Sequence, residues 1–304
     1  MATTSSDIDG SLPFGVGDTI FERYRVEQIV GAIGRVWYLR ASYLMAPQLG
    51  YAVQVLPNSG VPDCPHRRYF LEEAERVSDL PCPPFVPVIR SGEIEKGHAV
   101  IVREFLPGRH LRSELPVKAM GPVAAMRVIE SVASAMWISH KRERGMHGFT
   151  YYDLMINTRP GEDTVGATML QSPHGFGELC HDFGRLEGDL ARYCAPEFLE
   201  TRHASVSADV YALGMLCAVL LLGEAHEAFL IELENYDFAH LEGFRPVILR
   251  AVSKERRDRF ECVESFVLAA RQAAWSVQAA TMDQRSNTFE TRVFARRIDG
   301  GDER

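Results

Sequence analysis

The chain has 304 residues, a formal net charge of −8 at pH 7 and 46% hydrophobic residues. This length allows one large domain or two average ones, with enough apolar residues for a sizeable core. The negative charge argues against a general binder of nucleic acid or of anionic membranes. The longest apolar run, residues 211–222, is too short to cross a bilayer.

The cysteines and the N-terminus indicate where the protein works. The six cysteines form no Cys-x-x-Cys pair and no metal-ligand spacing. The first residues lack the basic and apolar stretch of a signal sequence. We therefore expect a reduced, cytoplasmic protein without a membrane span.

The first third of the chain is predicted to be mainly β-structure. Residues 1–17 are polar and contain glycine, which is typical of a flexible leader. Several segments then alternate or are continuously apolar as strands are, and one has a helical period. Strands are predicted at 23–30, from 36 onward, at 51–56, at 85–89 and at 99–106, and a helix at 67–80.

Helical patterns dominate after residue 122. Helices are predicted at 123–141, 210–222, 225–234, 246–253 and 262–274. Between the first two of them, residues 158–178 resemble an enlarged β-hairpin insertion with loop-like ends. From about residue 278 the sequence is polar without a sustained period, which is typical of a disordered tail.

Three short motifs stand in a fixed order in the second half of the chain. They are Asp182-Phe183-Gly184, Ala195-Pro196-Glu197 and Asp209-Val210-Tyr211-Ala212-Leu213-Gly214. Each alone would be weak, but this order, followed by a long apolar helix, is typical of the magnesium loop, the activation-segment anchor and the central helix of protein kinases. Over about residues 18–275 the chain resembles a bacterial, eukaryotic-like Ser/Thr protein kinase.

The resemblance implies an α+β, bilobal protein-kinase-like fold, with a small β-rich N-lobe that has one main helix and a larger helical C-lobe. The implied units are a leader at 1–17, an N-lobe at 18–106, a C-lobe at 107–277 and a polar tail at 278–304. Five residues match positions that hold the scaffold together in the family, namely His147, Phe183, Glu197, Asp209 and Arg259. By the same resemblance, Arg259 would pair with Glu197.

The positions that handle nucleotide in the family have changed. Gln54 stands at the position of the family's phosphate-binding lysine. Phe149 stands at the position of its catalytic aspartate, and Leu154 at that of its metal-binding asparagine. These residues cannot supply a cation, a general base or an oxygen ligand for a metal. The glycine-rich loop, with Gly31 and Gly34 as its remnants, is about two residues shorter than the family pattern.

Two charged remnants of the family's site are left. Glu73 falls where the family has the partner of the missing lysine, and Asp182 is the metal ligand if any metal binds. Without a lysine, Glu73 would raise its pKa, swing outward or accept a hydrogen bond from Gln54. No lysine precedes residue 96. Arg35 is a cation close to the glycine-rich loop, but it is more simply read as a solvent-facing strand residue.

This pattern predicts a catalytically inactive pseudokinase, a scaffold or allosteric binding partner in bacterial Ser/Thr phosphorylation signalling, with no cofactor. We expect a partly occluded cleft without a cation-lined cavity for a triphosphate. The alternative is a residual or atypical ATP-dependent phospho- or nucleotidyl-transferase, or a nucleotide sensor, that uses Asp182 and a divalent metal. Weak binding of ATP and magnesium stays open.

The expected partners are proteins and not nucleic acids. One class is a Ser/Thr kinase, and another is a forkhead-associated (FHA) domain that reads phosphothreonine. Thr288 and Thr291 are the candidate phosphorylation sites, because they lie beside apolar residues in the polar tail.

Overall fold

The computed structural model describes residues 12–33, 35–58, 60, 65–78, 85–105, 109–110, 119–141, 154–158, 165–170, 194–201, 205–223 and 238–299. Within these ranges the chain forms nine strands and six α-helices. They are β1 Thr19–Ile20, β2 Tyr24–Ile33, β3 Val36–Tyr43, β4 Ala46–Leu56, α1 Pro65–Ser78, β5 Val88–Ile94, β6 His98–Glu104, β7 Arg109–His110, α2 Pro122–Lys141, β8 Leu154–Thr158, β9 Val165–Leu170, α3 Pro196–Thr201, α4 Val206–Leu222, α5 Arg245–Ala251 and α6 Val263–Asp299.

The N-terminal half is built on a six-stranded antiparallel sheet in the order β1-β2-β3-β4-β6-β5. Side chains alternate between the two faces of such a sheet. One face carries its own core, which includes Val26, Val53 and Val102. The other face packs against α1 through Phe70 and Ala74. One face of the sheet therefore packs in its own hydrophobic core, and the other face packs against α1.

The start of the chain differs from the predicted flexible leader. Leu12 and Phe14 pack against the core of the sheet, and the Gly17 amide donates a hydrogen bond to the Val26 carbonyl at 2.8 Å. Apolar contact and a backbone bond hold these residues in place, so the leader prediction is wrong for 12–17. Residues 1–11 lie outside the described ranges.

The strand predicted at 85–89 is also misplaced, because β5 begins at Val88. Phe85 precedes that strand and is buried in the core of the helical half. The apolar run at 85–89 is therefore divided, since Phe85 packs in the helical half and Val88 begins a strand of the sheet.

The helical half is organised around α4, which is apolar on all sides and almost entirely buried. A helix of that composition is stable only when other elements surround it. The helices α2, α5 and α6 contribute to one hydrophobic core with it. Ser205 caps α4 by accepting a hydrogen bond from the Ala208 amide at 3.1 Å. The helix predicted at 225–234 lies outside the described residues.

Gly214 lets α4 approach α5 closely. A Cβ atom added at Gly214 would lie 2.5 Å from the Ala251 Cβ and 3.1 Å from the Val252 Cγ1. Alanine is the better helix former by about 1 kcal/mol, but overpacking of this kind costs about 1–3 kcal/mol or more. Because the 2.5 Å contact is with a Cβ atom that cannot turn away, the cost lies at the upper end of that range, and we expect Gly214→Ala to lower the free energy of urea unfolding by about 1–2 kcal/mol net. An unchanged or higher stability would mean that the two helices are not in such close contact.

The insertion predicted at 158–178 begins with a hairpin. The strands β8 and β9 pair antiparallel, with Thr158 opposite Val165, and β7 adds a third strand. Residues 159–164 and 171–178 lie outside the described residues.

The helix predicted at 262–274 continues much further, because the backbone of α6 is helical to Asp299. The disordered tail predicted from 278 is therefore wrong for its backbone up to that residue. No glycine or proline interrupts residues 263–299, and a helix already nucleated by packing extends at little cost through ordinary helix formers. No helix in the described part of the chain has the length and apolarity that a bilayer crossing needs.

Candidate functional site

The candidate site begins with Gln54 in β4, which lies opposite Tyr38 of β3 and Ile101 of β6. The residue is only 3% exposed. Its side-chain oxygen accepts a hydrogen bond from the Nε of Arg103 at 3.1 Å. The expected hydrogen bond between Gln54 and Glu73 is not tested, because the side chain of Glu73 lies outside what the structure describes. The amide oxygen at the lysine position is therefore bound to a neighbouring strand.

Arg103, near the end of β6, is 2% exposed. Its Nη1 donates to the Val86 carbonyl at 3.2 Å, in addition to the bond from Nε to Gln54. A guanidinium does not lose its proton in a protein, so it places a full positive charge inside the N-terminal half. Two protein oxygens offset part of the cost of burying that charge.

The sequence interpretation missed Arg103 and considered only Arg35 as a nearby cation. A usable signal was present, since Ala99, Ile101 and Arg103 alternate onto the same face of a buried strand. An arginine in an inward position of an apolar strand is unusual and needs a partner. A buried positive charge therefore lies on the strand next to the lysine position.

The other remnants of the site are placed only in part. Glu73 lies in α1, between the buried residues Phe70 and Ala74 in the sequence. Gly31 has a φ of 147°, a conformation that favours glycine. The pairing of β2 with β3 reaches Ile33 and Val36.

Leu154, at the start of β8, is fully buried in the core of the helical half. This position therefore presents no oxygen to a metal. In the ranges that the structure describes, no group of three His, Cys, Asp or Glu side chains could hold a metal ion. Four predicted site residues and the second glycine of the loop lie outside those ranges, namely His147, Phe149, Asp182, Phe183 and Gly34.

The structure brings Glu197 and Arg259 together as a two-pronged ion pair. The Nη1 of Arg259 lies 2.7 Å from one carboxylate oxygen and the Nη2 lies 2.9 Å from the other. Arg259 also donates to the Ser253 carbonyl at 2.7 Å and stacks over Tyr211 at 5.0 Å. The pair ties α3 to the segment between α5 and α6.

Asp209 is buried in the first turn of α4 and lies 2.6 Å from the Nε2 of His140, near the end of α2. The sequence interpretation named Asp209 as structural but not His140. The contact joins two helices of the same core, which fits a structural role for Asp209.

Comparisons with known proteins place this geometry in context. No protein-family model matches the sequence. The serine/threonine-protein kinase PknJ of Mycobacterium tuberculosis is 28% identical over 214 residues, which are 68% of this chain and 35% of that protein. The serine/threonine-protein kinase PrkC of Bacillus subtilis is 24% identical over 273 residues, which are 82% of this chain and 40% of that protein.

A third relative, the probable serine/threonine-protein kinase PknB of Lactococcus lactis, is 23% identical over 275 residues, which are 83% of this chain and 42% of that protein. Among solved structures, Rad53 1–466 in complex with AMP-PNP matches with a TM-score of 0.62 and 15% identity over 81% of this chain and 64% of that chain. The chain is a homologue of bacterial serine/threonine protein kinases. It spans less than half the length of these curated relatives.

The predicted α+β, bilobal kinase-like fold is confirmed by the β-rich N-terminal sheet, the helical C-terminal half and the kinase neighbour. In the helical half, Glu197 contacts Arg259 and Asp209 contacts His140. At the position of the phosphate-binding lysine, by contrast, Gln54 contacts a buried arginine.

The ion pair is expected to make the stability of the protein sensitive to acid. Burial by itself raises the pKa of Glu197, but the hydrogen bonds and charge of Arg259, together with Arg256, outweigh it and leave the pKa below 4.5. A lowered carboxylate pKa in the folded state adds stability that is present above the unfolded value and is lost as pH falls through the folded one.

We therefore expect stability to decrease below about pH 5, and Glu197→Gln to flatten this decrease. Urea unfolding measured across a pH series checks it. Glu200→Gln, which removes an exposed carboxylate from the same helix, is the matched control. Equal slopes for the parent and Glu197→Gln would contradict the assignment.

Proposed function

We propose that the chain is a catalytically inactive kinase-like protein that acts as a scaffold or allosteric binding partner in bacterial Ser/Thr phosphorylation signalling. The observation that carries this proposal is the buried hydrogen bond between Gln54 and Arg103. The homology supports the signalling context, since its relatives are Ser/Thr protein kinases.

Phosphoryl transfer depends on cations and metals that hold a triphosphate and neutralise its charge. Gln54 is neutral, and the Nε and Nη1 of Arg103 already donate to Gln54 and Val86 inside the protein. A phosphate could use these donors only after those buried bonds break, which leaves two acceptors unsatisfied. Leu154 removes a metal ligand as well.

The partner is proposed to be a protein in the cytoplasm, either a Ser/Thr kinase or an FHA-type domain that reads Thr288 or Thr291 after phosphorylation. The backbone of both threonines lies in the C-terminal part of α6. Phosphorylation would add a doubly charged group to this helix, and an FHA-type domain would read that group through charge-assisted hydrogen bonds. Equal affinity of an FHA domain for phosphorylated and unphosphorylated chain would refute this route.

A thermal-shift titration with ATP, with and without magnesium or manganese, tests the absence of nucleotide binding. We expect no saturable rise in the unfolding temperature, since a ligand that does not bind the folded state cannot stabilise it. Asp182→Ala, which removes the remaining candidate metal ligand, is expected to give the same flat response. A metal-dependent, saturable rise that Asp182→Ala abolishes would overturn the proposal.

The alternative, a nucleotide sensor or a residual transferase that uses Asp182 and a divalent metal, is favoured by one observation. Arg103 provides a permanent positive charge beside the lysine position. On that alternative, ATP would raise the unfolding temperature of the parent chain. This rise would be lost in both Asp182→Ala and Arg103→Met, each compared with the same variant without ATP. A rise that survives Arg103→Met would exclude the arginine as the phosphate-binding group.

A further inference from the structure

The helix α6 carries a face that the body of the protein does not cover. Its 37 residues make a rod of roughly 55 Å at 1.5 Å per residue. The side that packs on the helical core has six buried residues, Val263, Phe266, Ala270, Ala273, Ala274 and Val277. The helix continues for several turns beyond the last of them. Such an extension is marginal in water unless another element packs against it.

Large apolar residues recur on the opposite side of α6. Leu268, Trp275 and Met282 are 58%, 64% and 59% exposed. They are spaced by seven residues, and Phe289 continues the spacing in the sequence. Single exposed apolar residues are ordinary, but a row of them along one helix face marks an interaction surface. A repeat of seven residues, and not of 3.6-residue turns, is the pattern of a helix that pairs with a second helix in a left-handed coiled coil.

The remaining heptad positions complete the pattern. If the four large residues are assigned to position d, position a holds Gln272, Ala279, Ser286 and Val293. Small residues at a allow the two helices to approach closely, and the polar ones fix the register. Position e then holds Ala269, Ser276, Asp283 and Glu290, and position g holds Arg271, Gln278, Arg285 and Arg292. One flank of the seam is therefore acidic or neutral and the other is basic or neutral.

This charge pattern indicates which helix can pair with α6 and whether the two helices run parallel or antiparallel. In a parallel pair, position g of one helix faces position e of the next heptad in the other helix. That places Arg285 beside the partner's Glu290, and Gln278 beside the partner's Asp283. In an antiparallel pair, equivalent flanks meet and arginines would face arginines. Arg271 is already bonded to Glu130 of α2 at 2.7 Å, so the complementarity lies in the part of α6 beyond the body.

We propose that α6 is the dimerisation helix of this chain and forms a parallel two-stranded coiled coil with α6 of a second copy. The seam consists of Leu268, Trp275, Met282 and Phe289 with the small residues at position a. The face that packs on the body is on the other side of the helix, so two bodies can lie side by side. This inference does not depend on the proposed function.

Sedimentation equilibrium of the purified 304-residue chain across a concentration series tests the proposal. We expect a monomer–dimer equilibrium in the parent chain. The double variant Trp275→Glu with Met282→Glu is expected to weaken it by about a hundredfold or more, because two seam positions become charged. Ala280→Glu, which adds charge at an exposed position outside the seam, is expected to leave the equilibrium unchanged.

Two further variants test the direction of the pairing. Arg285→Glu is expected to weaken the dimer by roughly threefold to tenfold, and Arg285→Glu with Glu290→Arg is expected to restore it. In the parallel arrangement, Phe289→Cys should form a cross-link between copies that the parent chain lacks.

A parent chain that is monomeric at every concentration would overturn the proposal, as would a dimer that survives the two seam substitutions. Antiparallel pairing is indicated, and the parallel register is wrong, if Arg285→Glu strengthens the dimer and Phe289→Cys gives no cross-link. Binding of monomeric chain to lipid vesicles that is lost in the seam variant would also overturn it, because the face would then serve a membrane surface.

Discussion

Replacing Arg259 by methionine is expected to lower the free energy of unfolding by about 3–5 kcal/mol. The arginine side chain is fully buried and makes both prongs of the pair with Glu197. It also donates to the Ser253 and Ser207 carbonyls. Methionine fills much of the same space but leaves a largely buried carboxylate and three carbonyl oxygens, those of Ser253, Ser207 and Lys254, without this donor. Urea unfolding followed by circular dichroism measures the change.

Arg257→Met is the matched control for this prediction. Arg257 lies two residues earlier, has an 83% exposed side chain and makes only a long contact with Asp258 at 3.9 Å. Its replacement should change stability by no more than about 0.5 kcal/mol. A loss of less than about 1 kcal/mol for Arg259→Met would show that the pair does not hold the helical half together.

Restoring the family's lysine by Gln54→Lys is expected to destabilise this protein by about 3–5 kcal/mol. The new ammonium would lie beside the buried guanidinium of Arg103, where two like charges cannot both be accommodated. The lysine would have to lose its proton or turn outward, and either change costs stability. Urea unfolding again measures the effect.

Two companion variants make this prediction specific to Arg103. Gln54→Glu, of the same size as glutamine, should be tolerated better than Gln54→Lys, because its carboxylate can pair with the guanidinium. Adding Arg103→Met to Gln54→Lys should recover at least about 2 kcal/mol, as neighbouring residues are not additive. Equal costs for lysine and glutamate would contradict a buried arginine charge at this position.

Local sequence patterns predicted much of the fold. The strand that carries Gln54, the helix α1 and the buried helix α4 follow from alternation and helical period, which depend on near neighbours in the chain. The predicted contact of Glu197 with Arg259 came from a resemblance, because no local pattern links residues so far apart. Leu154 was recognised as apolar from its identity alone, and it lies in the core.

Tertiary packing accounts for what the sequence interpretation missed. The bond between Gln54 and Arg103 exists because β4 and β6 are neighbours in the sheet, although they are separated along the chain. Phe85 belongs to a core formed mainly by later helices. The first turns of α6 are nucleated by packing on the body. The helix then extends through later residues whose sequence alone did not predict a helix.

The absence of phosphoryl transfer is the central claim, and transfer from γ-labelled ATP tests it most directly. The purified chain is incubated with the labelled nucleotide, magnesium or manganese and a general protein substrate, beside Asp182→Ala as the blank. The account predicts that label on the chain and on the substrate stays at the level of Asp182→Ala. Label above that level, on either polypeptide, would contradict it.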